Sequence, residues 1–142
     1  MWLSELFRTL YLMTSERDKP SPLDRVKREQ ITYDKSSGVL RVQFKPGEDI
    51  KIFNVANSKS MDGIMDGASN VIATGDIDHA KLQVGDIGIY QRLVTLIVHE
   101  IIEITKDMHG RLYKFRGTNN PNADRALVRD VQVKYVRIGQ FD

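Results

Sequence analysis

From residue 31 onward, short segments rich in Val, Ile, Tyr and Phe alternate with turns that contain Gly, Pro, Asn or Asp. This spacing is typical of β-strands joined by tight turns, and it limits the chain to a mostly β fold. The predicted strands are residues 31–33, 39–44, 50–55, 71–73, 87–90, 93–104, 111–115 and 131–138.

Residues 93–104 are the one segment whose pattern fits two structures. Leu93, Leu96, Ile97, Ile101 and Ile104 recur at helical spacing, whereas the density of Val and Ile is typical of a buried strand. We predict a strand, because a turn and a cleanly alternating segment follow it.

The first 30 residues are predicted to form an arm that precedes a β domain over residues 31–142. Apolar residues at three- and four-residue spacing between Met1 and Met13 predict a short amphipathic helix, and two prolines in residues 15–22 predict a linker. We expect the apolar face of this helix to pack on the protein itself or on a second subunit. Contact with a membrane surface is less favoured, because the polar face carries few cations.

No apolar run approaches the roughly 20 residues that a membrane-spanning helix needs. The N-terminal segment also lacks the basic region and the small-residue cleavage site of a signal peptide. These patterns predict a soluble or peripheral protein.

The composition excludes several classes of function. A chain of 142 residues is enough for one domain with its own core. It has no cysteine, so neither disulfides nor cysteine-ligated zinc are available. Lys and Arg total 21 against 19 Asp and Glu. Residues 110–137 are basic but carry no motif for reading bases, so we expect a solvated face and no nucleic-acid partner.

Three residues far apart in the sequence could together form a catalytic site. Ser60 follows a predicted strand in a turn of small polar residues, His99 lies on an apolar strand, and Asp124 lies in a Gly- and Asn-rich loop. A serine hydroxyl becomes a nucleophile when a neighbouring base such as imidazole removes its proton, and a carboxylate holds that imidazole in the productive tautomer. The Ser60 backbone N–H and the Ser58 hydroxyl are candidate donors to an oxyanion. Each residue alone is weak evidence, since a lone histidine on an apolar strand is more often a core residue.

The order of several segments strengthens this assignment. The chain from about residue 55 to residue 139 resembles the catalytic domain of type I signal peptidases, especially of the archaeal and endoplasmic-reticulum kind. It resembles more distantly the LexA-type self-cleaving repressors, which share the fold. The matching segments are Ser60-Met61 with Ser58 before it, Gly-Asp-Ile-Gly-Ile-Tyr at 85–90, Ile-Val-His-Glu-Ile-Ile at 97–102, Gly-Thr-Asn-Asn at 117–120, and Asp124-Arg125.

The resemblance implies a signal-peptidase/LexA-like β domain and a serine endopeptidase that cleaves a polypeptide through an acyl-enzyme. Ser60 would be the nucleophile, His99 the base, Asp124 the residue that orients it and Ser58 an oxyanion donor. No cofactor is implied.

The sequence also departs from the family pattern. Asp62-Gly63 replaces a Glu-Pro pair, Thr118 replaces the first aspartate of the loop, and Glu100 replaces an arginine after the base. Together with the lack of an evident membrane anchor, these differences leave a second hypothesis open. It is a non-catalytic structural or assembly protein, for example a subunit of a viral particle, that binds a protein partner or its own copies through the N-terminal arm.

A metal site is not favoured. His99 and Glu103 would share a helix face, but the zinc motif needs a second histidine at that spacing, and no further ligand is evident. The aspartates between residues 62 and 78 match no calcium-loop spacing. We therefore predict no metal.

Overall fold

A computed structural model of the protein describes residues 24–142. Antiparallel β-strands are the main regular structure of these residues, which confirms the predicted mostly β fold. The predicted amphipathic helix and the linker lie outside the described residues. Among residues 24–142, no helix has the length and apolar character needed to cross a membrane.

The described part of the chain contains nine strands, and every predicted strand is among them. The strands are β1 (Ile31–Asp34), β2 (Val39–Val42), β3 (Ile50–Asn54), β4 (Asn70–Thr74), β5 (Ile87–Arg92), β6 (Thr95–Asp107), β7 (Gly110–Arg116), β8 (Val128–Arg129) and β9 (Val133–Phe141). Short 3₁₀ turns occur at Arg28–Gln30, His79–Lys81 and Asp130–Gln132. The two-residue strand β8 was not predicted.

The strands form two sheets. β1 and β2 pair as a hairpin, and the other strands form one sheet in the order β3-β4-β9-β5-β6-β7-β8. Each neighbouring pair is antiparallel. β9 lies between β4 and β5, so it joins the half of the sheet before residue 75 to the half after residue 86.

From Thr95 onward the ambiguous segment forms the long strand β6, which excludes the helical alternative, whereas Leu93 and Val94, predicted as strand, form the turn before it. β6 is hydrogen-bonded to β5 on one side and to β7 on the other, so its Val and Ile residues pack within a sheet. In this register His99 lies opposite Gly88, and Ile97 lies opposite Tyr90. The side chains of His99 and Tyr90 therefore project from the same face of two adjacent strands.

Two apolar clusters form the core. The first contains Leu82, Tyr90, Ile101, Tyr113, Phe115, Val128, Val133 and Val136. The second contains Met61, Met65, Val71, Ala73, Ile87 and Ile89. Met61 is only 2% exposed, and burying such a side chain stabilises a fold by about 2 kcal/mol. The second cluster therefore anchors the turn that carries Ser60.

An ion pair ties the beginning of the described chain to the large sheet. Arg25 Nη2 lies 2.9 Å from Asp86 Oδ2, and the Asp86 side chain is 3% exposed. The same carboxylate oxygen accepts a hydrogen bond from the Gln83 backbone N–H at 2.8 Å. Residue 25 is thus in contact with the turn that leads into β5.

Candidate active site

The three predicted site residues meet in one hydrogen-bonded chain. His99 Nδ1 lies 2.6 Å from Asp124 Oδ2, and His99 Nε2 lies 3.2 Å from Ser60 Oγ. An ionised carboxylate can only accept, so Nδ1 carries a hydrogen and donates a hydrogen bond to Asp124. The Nε2 atom is then free to accept from the Ser60 hydroxyl. His99 is buried, with 9% of its surface exposed.

The turn before Ser60 has an unusual backbone. Lys59 has a φ of 63°, in the left-handed region that side chains other than glycine rarely adopt. This conformation costs about 1 kcal/mol, so the surrounding structure must hold it. The buried side chain of Met61 anchors the turn on one side.

Asn119 holds the same turn from the other side. Its backbone N–H donates to the Ser60 carbonyl at 2.9 Å, and its side-chain Nδ2 donates to the Lys59 carbonyl at 2.9 Å. The C=O and N–H of a trans peptide point in opposite directions. Fixing the Lys59 carbonyl on Asn119 therefore directs the Ser60 N–H away from Asn119. The sequence placed Asn119 in a candidate loop but gave no signal for this contact.

Ser58 lies beside the candidate nucleophile. Its hydroxyl is 3.1 Å from Ser60 Oγ and 3.5 Å from the Ser60 backbone nitrogen. The Ser58 hydroxyl and the Ser60 N–H are thus neighbours next to the nucleophile, the two groups that sequence reasoning proposed as oxyanion donors.

Gly117 leaves the space that the site requires. A Cβ atom at this position would lie 2.6 Å from the Ser60 carbonyl oxygen and 3.0 Å from His99 Nε2. It would also lie 2.6 Å from Asn120 Nδ2. A side chain here would therefore collide with the Ser60 backbone and the His99 ring.

The loop that carries Asp124 is closed onto the end of β7. The Asp124 backbone N–H donates to the Phe115 carbonyl at 2.8 Å. At Thr118, where the family pattern has an aspartate, the backbone nitrogen lies 3.4 Å from Met61 Sδ. This residue thus contacts the buried anchor of the nucleophile turn.

A fourth residue, Tyr90, contacts the same carboxylate. Its hydroxyl donates to Asp124 Oδ2 at 2.6 Å. Burial first, and then the hydrogen bond to Asp124, raise the pKa of Tyr90 well above its usual range. Tyr90 is therefore a protonated donor at every pH near neutrality. Sequence reasoning used Tyr90 only as part of a strand motif.

An apolar cleft of about 330 Å³ opens beside Ser60 and His99. It lies between the end of β3 and the first half of β6, and its wall also includes residues of β4 and β5. The lining residues include Phe53, Val55, Val71, Ile89, Ile97 and Val98.

The residues considered for metal binding are not grouped. Within residues 24–142, no three His, Asp or Glu side chains are placed to hold one ion. Glu103, the residue four positions after His99, pairs with Lys114 at 3.0 Å.

A Ser–His–Asp chain beside an apolar cleft is the arrangement that serine hydrolases on several unrelated folds use. No protein-family model matches the sequence, and no solved structure matches it significantly. Among curated proteins, signal peptidase I W of Bacillus subtilis (strain 168) is 35% identical over 78 residues, which cover 54% of this chain and 41% of that protein. The chain thus spans about two fifths of that relative's length. This similarity supports a signal-peptidase-I-like relationship at the level of the family.

Proposed function

We propose that this protein is a serine endopeptidase of the signal-peptidase type, with Ser60 as nucleophile. The observation that carries the proposal is the hydrogen-bonded chain from Ser60 through His99 to Asp124 at the edge of an apolar cleft. The partial similarity to a signal peptidase I supports the same chemistry independently of the geometry.

Each side chain has a role that its contacts allow. His99 Nε2, 3.2 Å from Ser60 Oγ, takes the hydroxyl proton as the oxygen attacks a peptide carbonyl. Asp124 stabilises the imidazolium that forms. The Ser60 N–H and the Ser58 hydroxyl donate to the oxyanion of the tetrahedral intermediate.

The second half of the reaction uses the same groups. The intermediate collapses to an acyl-enzyme on Ser60 as His99 returns its proton to the leaving amine. A water molecule then attacks the ester while His99 acts again as the base, and Ser60 is released as the hydroxyl.

The cleft supports a polypeptide substrate with apolar side chains near the cleaved bond. Its walls carry Phe53, Val55 and Val98, and it opens directly beside Ser60. An extended chain in this cleft would bury apolar groups against these residues, which favours binding by about 25 cal/mol for each Å² removed from water.

The direct test is the reactivity of Ser60. The wild-type protein and the Ser60→Ala, His99→Ala and Ser37→Ala variants are incubated with a fluorophosphonate and with peptides that carry apolar residues, and adducts are located by mass spectrometry. We expect labelling at Ser60 in the wild type and in Ser37→Ala, whose serine lies in the exposed β1–β2 turn. His99→Ala should lose labelling and hydrolysis by about a thousandfold or more.

Ser58→Ala tests the oxyanion assignment separately. Removing one such donor lowers turnover by about a hundredfold in a serine peptidase. A folded wild-type protein with an unreactive Ser60 would overturn the proposal, and it would favour the non-catalytic assembly role.

A further inference from the structure

One oxygen of Asp124 accepts two hydrogen bonds. Oδ2 lies 2.6 Å from His99 Nδ1 and 2.6 Å from the Tyr90 hydroxyl oxygen. The Ser–His–Asp assignment accounts for the first contact and gives no role to the second.

Packing fixes the position of Tyr90. The residue is 3% exposed, and its ring centroid lies 4.6 Å from that of Phe115. The carbonyl of Phe115 in turn accepts from the Asp124 N–H at 2.8 Å. Tyr90 and the Asp124 backbone are therefore held by the same residue of β7, so the phenol and the carboxylate have little freedom to part.

Few strands and loops contribute charged groups around the Tyr90–Asp124 hydrogen bond. Asp124 faces the phenol from the 117–124 loop, and Arg92, on the same strand as Tyr90, acts on it electrostatically. β6 contributes His99 through the shared oxygen. β9 and β7 present the apolar residues Val133 and Phe115 there.

We propose that Tyr90 is a positioning residue that fixes the Asp124 carboxylate against His99 and weakens its shared oxygen as an acceptor for the imidazole. A phenol that donates to a carboxylate draws negative charge toward itself. The same oxygen is then a weaker acceptor for His99 and stabilises the imidazolium less. The effect on turnover rests on the proposed peptidase function, whereas the effect on the His99–Asp124 hydrogen bond does not.

The test compares Tyr90→Phe with Tyr113→Phe. Tyr113 is a matched control, because it is a buried tyrosine that packs on Phe115 and donates to a carboxylate, Asp130, away from Ser60. The first readout is the acid limb of the pH profile of kcat/KM. The second is the proton NMR resonance of His99 Nδ1–H, measured in the Ser60→Ala background so that it does not depend on hydrolysis.

We expect Tyr90→Phe to move the acid limb to higher pH, because Asp124 without the phenol is the stronger acceptor for the imidazole. The His99 Nδ1–H resonance should also move. Tyr113→Phe should leave both readouts unchanged. If Tyr90→Phe does not fold, a ring-fluorinated tyrosine at position 90 replaces it. As a stronger donor it should move the limb to lower pH.

An unchanged limb and an unchanged resonance in Tyr90→Phe, or equal shifts in Tyr113→Phe, would overturn the role of Tyr90. If the wild-type protein hydrolyses no peptide, the proposed function fails, and the resonance alone still decides the inference about Tyr90.

Discussion

The side-chain amide of Asn119 donates to the carbonyl oxygen of Lys59 at 2.9 Å. Lys59 has a φ of 63°, and its carbonyl belongs to the peptide group that ends in the Ser60 N–H. A residue 60 positions away in the sequence therefore sets the direction of a candidate oxyanion donor.

Replacing Asn119 by Asp should remove the side-chain bond to the Lys59 carbonyl and leave the backbone bond to the Ser60 carbonyl in place. Asn119→Asp keeps the backbone bond to the Ser60 carbonyl but cannot donate to Lys59. A net hydrogen bond is worth about 1 kcal/mol, so we expect kcat to fall about fivefold or more with little change in KM. Steady-state peptide hydrolysis measures this, with circular dichroism to check the fold. A higher KM with an unchanged kcat would contradict this prediction.

Gly117→Ala should inactivate the protein. The new Cβ would lie 2.6 Å from the Ser60 carbonyl oxygen and 3.0 Å from His99 Nε2, so one of these groups must move. The matched control is Gly139→Ala, because a Cβ there meets no atom within 4 Å. We expect loss of Ser60 labelling by a fluorophosphonate in the first variant and wild-type labelling in the second. Equal labelling in both would refute the close approach at residue 117.

Alkaline pH should destabilise the fold through its buried phenols. Burial and a carboxylate neighbour raise the pKa of Tyr90 and of Tyr113 above the usual value of 10.0. A raised pKa means that the folded state favours the protonated form. Its contribution to stability is therefore complete below about pH 10 and is lost as the pH rises above it. Ultraviolet absorbance of tyrosinate should show these two residues ionising only as the protein unfolds, and Tyr113→Phe should reduce the loss.

Arg25→Ala should destabilise the folded protein, because it removes the ion pair between residue 25 and the large sheet. The substitution leaves the Asp86 carboxylate, 3% exposed, without its 2.9 Å partner. Breaking a buried ion pair in this way costs a few kcal/mol, and we expect about 2 kcal/mol because the arginine side chain is partly exposed. Urea unfolding measures the change. Unfolding free energies within error of the wild type would show that residue 25 is not part of the folded domain.

The sequence predicted the local elements well because strand patterns and turn residues are local signals. It also identified residues 60, 99 and 124, and His99 proved to lie within hydrogen-bond distance of both Ser60 and Asp124. The strand predicted over residues 93–104 was confirmed from Thr95 onward, since β5 and β7 pair with it on both sides.

Other features were out of reach of local pattern. The contact between Tyr90 and Asp124 depends on the register of β5 with β6 and on the path of a loop 34 residues away. The hydrogen bond from Asn119 to the Lys59 carbonyl depends on two loops that meet only when the sheet has formed.

The place of β9 in the sheet decides when, during synthesis, the protein acquires its site. Before residues 133–141 leave the ribosome, β4 and β5 have no common neighbour, and the hairpins that carry Ser60 and His99 are not held in one sheet. Pairing between strands distant in sequence is also slower than the closing of a local hairpin. In a nascent chain, Ser60 and His99 therefore belong to strand groups that no common neighbour joins until residues 133–141 have been made.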